Sequence, residues 1–184
     1  MLTLPRPQEL TDVGLAALVL GAFSTLGDWI WARFIPDGAI VPGVAHGLLF
    51  FLLIALVLGS VARSRRALKR FVLALPAAGL LLAALFYPLA YAIGYLGALL
   101  VTWVGMWLSL ALVQRWARGG VETVQWTLLR GLVAAVASGL AFWAVSGMWT
   151  APAAETGYPL RLVYWTFAFL PGLAALLLAA RPRS

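Results

Sequence analysis

Two ionisable residues stand where ionisable residues are costly. Asp28 and the single histidine, His46, are set into apolar stretches of a 184-residue chain without cysteine. A carboxylate at the centre of a bilayer costs ~2.5–3.5 kcal/mol, and less toward the interface, so such a residue asks for a partner or a function. At 100° per residue, Gly14, Ala17, Gly21, Ser24, Thr25 and Asp28 fall within an arc of about 100° of one helix, with Leu15, Val19, Phe23, Leu26 and Ile30 on the other side. The small stripe is expected to face neighbouring helices and the bulky face to meet lipid. Asp28 continues the small stripe, ~8 Å inside the end of its helix by the helical rise. His46 lies in a Gly43-x-x-x-Gly47 close-packing pattern at a similar depth. A pair between Asp28 and His46 is therefore expected, with Arg161 as the rival ionic partner and Arg33 free to snorkel outward. The plainer alternative is that these residues stabilise loop ends at the interface.

Sparse hydroxyls recur on other small-residue faces. Ala98, Thr102, Gly105 and Ser109 form one narrow stripe, and Gly131, Ala135, Ser138 and Phe142 form another. Such faces let helices approach closely, and they also leave room for an apolar ligand, with Thr25, Thr102 and Ser138 as the polar contacts that would fix one end of it. Trp103 and Trp107 point away from the first stripe, which assigns them to lipid or to a partner subunit. Pro76, Pro88 and Pro171 are expected to kink the helices that hold them.

The absence of cysteine excludes a disulfide framework, thiolate metal sites and thiol catalysis. One histidine argues against a bis-His haem or a multi-His metal centre, so no metal or cofactor is expected. An enzyme acting on lipid headgroups would cluster acids, histidine or a metal at one interface. Here Asp28, Asp37, His46 and Glu155 fall in no recognised spacing, and the opposite interface offers mainly arginines and Glu122.

The elements that must position these residues are membrane spans. With 64% hydrophobic and 10% charged residues and a mean hydropathy of +0.98, the chain reads as an all-α polytopic transmembrane bundle. Six spans are expected, at about 12–33, 44–62, 71–91, 95–115, 124–149 and 160–180, forming a single domain over 1–184. The stretch from Phe71 to Gln114 has 44 residues without a charge, about 66 Å if wholly helical against a hydrocarbon core of ~30 Å. It must turn back, and Tyr87, Pro88, Tyr91, Gly94 and Tyr95 mark the reversal. Arg63, Arg65, Arg66, Lys69 and Arg70 anchor one side. With both termini there, 11 of 13 basic residues share it and only Arg33 and Arg161 do not, so the N- and C-termini are expected in the cytoplasm. The net charge of +7 is thus a matter of topology and anionic headgroups, and no nucleic-acid partner is expected. The expected location is the bacterial cytoplasmic membrane.

The order of these spans resembles the insulin-induced gene (Insig) family and its bacterial relatives. The residues that carry the likeness are Val41-Pro42 closing the first outer link, Gly105-x-Trp107 in span 4, Arg115-x-x-Arg118-Gly119 after it, and an aromatic span 6. The resemblance implies a non-enzymatic protein with a lipid in a central membrane pocket. Where eukaryotic members of that family are similar in carrying an aspartate tied to partner binding, this chain has Gln114. The expected function is binding of an apolar, lipid-like ligand, or a role as membrane scaffold or regulator, through Asp28, His46, Thr25, Thr102 and Ser138. A small transporter or membrane subunit of a transport complex is the first alternative, and a lipid-modifying enzyme the second. Expected partners are membrane lipids, and a second copy or another membrane protein docked through the small-residue faces.

Overall fold

The computed structural model describes residues 5–35, 39–120, 122–146 and 157–178. The Pro-Asp-Gly link with Asp37, the loop holding Glu155, and the far ends of the fifth and sixth expected spans lie outside them. The described residues are helical, with no strand. Five helices are long and apolar enough to cross a membrane: α1 (Pro7–Phe34), α2 (Ile40–Val61), α3 (Arg65–Ala117), α4 (Val124–Ser146) and α5 (Tyr158–Leu177).

Local chemistry sets the starts. Pro7 opens α1, where a missing N–H costs nothing, and Glu9 reaches back to accept from the Arg6 backbone N–H at 3.0 Å. Ser64 caps α3 by accepting from Ala67 N–H at 3.4 Å. α2 begins at Ile40, four residues before the expected start, because a proline within the first turn, here Pro42, leaves the helix intact.

The 53 residues of α3 do not form one rod. Gly94 departs from helical geometry at φ 79° and ψ 163°, a region that a side chain would make costly. On either side the chain folds back on itself. Arg70 Nη1 donates to the Trp116 carbonyl at 2.6 Å across 46 residues, a separation that would be about 69 Å along a straight helix. Phe86 and Tyr95 pack edge to face at 5.5 Å beside the turn. α3 is a helical hairpin with limbs 65–93 and 95–117.

Each limb packs on the next in chain order, and α5 then packs on α1, closing a ring. Glycines set the closest contacts. A Cβ on Gly21 would lie 2.8 Å from the Thr166 backbone nitrogen where α1 meets α5, and one on Gly47 would lie 2.6 Å from Ala83 Cβ where α2 meets α3. Gly172 on α5 makes room for the Trp107 indole, whose Cζ2 would stand 2.6 Å from a Cβ there. The bulky face of α1 turns outward as expected, with Leu15, Val19, Phe23, Leu26 and Ile30 all exposed.

The tryptophans of the second α3 limb correct the expectation. Trp107 is wholly buried, and Trp103 turns inward to donate its indole N–H to the Ala135 carbonyl at 3.0 Å. The buried face of this limb runs through Met106, Trp107, Leu110, Ala111 and Gln114. The space that admits the large ring was supplied by a neighbouring helix, at Gly172, and not by the small stripe on its own.

Candidate functional site

Asp28 sits where α1 meets α5. Its Oδ2 accepts from Trp165 Nε1–H at 2.8 Å, and Arg161 Nη1 lies 3.7 Å from the same oxygen. Arg161 and Trp165 are four residues apart, so one helical face presents both to the carboxylate. The guanidinium also lies 5.3 Å from the Tyr158 ring centre, which holds it along the helix. The ionic partner of Asp28 is thus Arg161, and its hydrogen-bond donor is an uncharged indole, Trp165.

His46 is a neighbour of this cluster and makes no hydrogen bond to Asp28. Its ring lies over Gly27, where a Cβ would stand 2.6 Å from Cε1, so Gly27 is what lets α2 bring an imidazole this close to α1. The ring stacks on Phe50 at 6.3 Å and 3°, and meets Trp31 edge-on at 6.2 Å. Next to it, the Tyr87 hydroxyl packs against Gly43 and donates to the Ala39 carbonyl at 3.0 Å. Both glycines of the expected pattern therefore serve α3, Gly43 lying also near the Trp31 ring of α1, and the approach of His46 to α1 is made through Gly27.

Asp28, His46 and Thr102 line one cavity of about 290 Å³ between α1, α2, both limbs of α3 and α5. Its other walls are mostly apolar, among them Phe50, Phe86, Met106, Trp103 and Phe169. The Thr102 hydroxyl donates to the Ala98 carbonyl at 2.8 Å, which leaves its oxygen able to accept. Thr25 and Ser138 are not among the lining residues. Thr25 turns its hydroxyl back onto the Gly21 carbonyl at 2.9 Å, as helical threonines do when no better partner faces them. Ser138 is fully buried between α4 and α5, against Gly172, with no hydrogen-bond partner for its Oγ. Ser24 takes the place expected of Thr25.

No family model, curated protein or solved structure matches this chain.

What the site can do follows from its own geometry. One carboxylate has one oxygen that accepts from Trp165 with Arg161 beside it, one imidazole is held between the Phe50 and Trp31 rings over Gly27, and an aromatic slot extends away from both. Such a site can accept a hydroxyl or cationic group at one end and an apolar body along the rest. The signal for Trp165 was present in the sequence as an aromatic residue one helical turn beyond Arg161, on the face where a carboxylate was already expected.

Proposed function

We propose that this chain crosses the membrane six times with both ends cytoplasmic, and that it binds a lipid-like amphiphile in the cavity beside Asp28. The α3 hairpin supports the six crossings, since each limb exceeds the ~20 residues a span needs. The 11 to 2 division of basic residues supports the orientation, in a bacterial cytoplasmic membrane. The cavity then lies in the outer half of the bundle. The Insig-like order of spans implies a pocket of the same kind, and the proposal stands on the cavity itself.

The observation that carries the reading is the polarity of that cavity, apolar along its walls and polar at one end. An acyl chain or flat apolar skeleton would lie among Phe50, Phe86, Phe169 and Met106, whose flexible thioether adapts to irregular shapes. Its hydroxyl or ammonium would meet Asp28 Oδ1, with His46 beside it. Extraction in mild detergent followed by mass spectrometry should recover a near-stoichiometric lipid from the native chain. Thr102→Trp, placed to fill the slot, should lose it while the protein stays folded, and Asp28→Asn should change the headgroup class retained. Recovery of the same lipid in the same amount from all three proteins would refute the placement.

A further inference from the structure

At the opposite end of the bundle the helix ends enclose a second and larger cavity, of about 550 Å³. Three guanidinium groups line it: Arg115 and Arg118 from the end of α3, and Arg130 from α4. Three carboxylates line it too, and each has a donor on at least one oxygen. Asp12 is taken by Arg63 at 3.1 Å, and Glu9 accepts from the Arg6 backbone N–H at 3.0 Å. Glu122 faces the arginines directly, and its Oε1 accepts from Arg130 Nη1 at 2.9 Å. Arg115 is held by carbonyls, those of Glu122 at 2.6 Å and Gly120 at 3.3 Å, which position it without cancelling its charge.

The atoms left over define what would complete the site. Arg130 is only 6% exposed, and its Nε–H has no acceptor. Glu122 Oε2 is buried without a donor. A buried charge with an unmet hydrogen bond is costly, and a natural protein retains one where a ligand or another polar group meets it. The complement is a group with several anionic oxygens for the guanidiniums and one O–H for the carboxylate. A tetrahedral phosphate monoester that keeps one proton has both.

We propose that the cavity at the basic end binds a phosphate monoester, with its oxygens on Arg115, Arg118 and Arg130 and its P–O–H donating to Glu122 Oε2. The planar donor fork of arginine suits phosphate oxygens. The cavity lies where helix ends meet the headgroup layer, so the monoester has two sources of the same chemistry, a phosphatidate headgroup or a soluble phosphate compound. A phosphodiester without a headgroup hydroxyl, such as phosphatidylmethanol, has no O–H to give and leaves the Glu122 oxygen without a donor.

The full chain in phosphatidylcholine nanodiscs provides the test, with thermal unfolding followed by tryptophan fluorescence. Three additions are compared at matched ionic strength: phosphatidate in the bilayer, phosphatidylmethanol at the same mole fraction, and glycerol 3-phosphate in the buffer. Phosphatidate should raise the midpoint and phosphatidylmethanol should not. A rise with glycerol 3-phosphate as well identifies a soluble ligand, and a rise with phosphatidate alone identifies the headgroup. Arg118→Gln, an exposed position, should weaken the response about tenfold, the scale of one charge-assisted contact. Arg66→Gln, exposed on the same end but outside the cavity, should leave it unchanged. No rise in either monoester arm, equal rises with phosphatidate and phosphatidylmethanol, or equal losses in the two variants would overturn the proposal.

Discussion

Removing the indole N–H at position 165 tests the reading of Asp28 most directly. Trp165→Phe keeps an aromatic ring against Phe142 and Phe169, with which Trp165 packs at 4.9 Å and 6.1 Å, and deletes the donor. The lost bond is 2.8 Å long, within the range of charge-assisted hydrogen bonds. Bonds to charged groups contribute roughly 1.5–3 kcal/mol. The Asp28 side chain is 30% exposed, which places the expected value at the low end, about 1.5 kcal/mol or a little over tenfold in the folding equilibrium. The Arg161 contact, at 3.7 Å and partly exposed, adds at most ~1 kcal/mol. A double-mutant cycle of Trp165→Phe with Asp28→Ala, read by reversible unfolding in mixed micelles, isolates the shared term from the packing lost at each position. The coupling should be near 1.5 kcal/mol by that estimate and should exceed the coupling between Asp28→Ala and His46→Ala, which share no hydrogen bond. Zero coupling between Asp28 and Trp165, or a larger one with His46, would show that the carboxylate is held in some other way.

Two further measurements bear on the fold. Gly94→Ala should destabilise by roughly 1–3 kcal/mol through backbone strain alone, since nothing lies within 4 Å of a Cβ there; Gly14→Ala, equally uncrowded but in regular helix, should stabilise by about 0.5–1 kcal/mol. Equal effects of the two changes in unfolding experiments would deny Gly94 its special conformation. Because the chain has no cysteine, Arg66→Cys and Tyr91→Cys report sidedness without background: an impermeant thiol reagent added to intact cells should label position 91, at the exposed tip of the hairpin, and spare position 66, and the opposite pattern would reverse the orientation.

Features that depend on one segment were legible in the sequence. The charge-free run after Arg70 could not be a single span, and the turn came at a residue already marked for it, Gly94. The outward face of α1 followed from helical spacing. Features that depend on which helix stands opposite were not legible. Trp107 looked like a lipid-facing residue because its own helix offered a small stripe elsewhere, whereas the room for its indole came from Gly172, 65 positions away. His46 looked like the partner of Asp28 because depth was the only coordinate to compare; α5 supplied two donors at that depth, and helix order around the ring decided between them. The basic-end cavity escaped notice for a related reason. Its arginines served to orient the chain, and counting charges per side does not show which of them share a carboxylate.

The ring of limbs packed in chain order also has a history in time. As the chain leaves the ribosome, each new limb can dock on the one made just before it, so most of the bundle assembles through local contacts. One seam cannot. The face of α1 that carries Gly21, Ser24 and Asp28 has to wait for α5, since the indole that meets Asp28 lies 137 residues later. Until α5 enters, a carboxylate looks onto lipid or recruits water at its depth, and the nascent protein carries a polar scar on an otherwise apolar wall. Arrival of Tyr158–Leu177 covers that scar and closes the circle in the same step. A chain stalled before α5 would keep the scar exposed, the kind of surface by which a cell tells an unfinished membrane protein from a finished one.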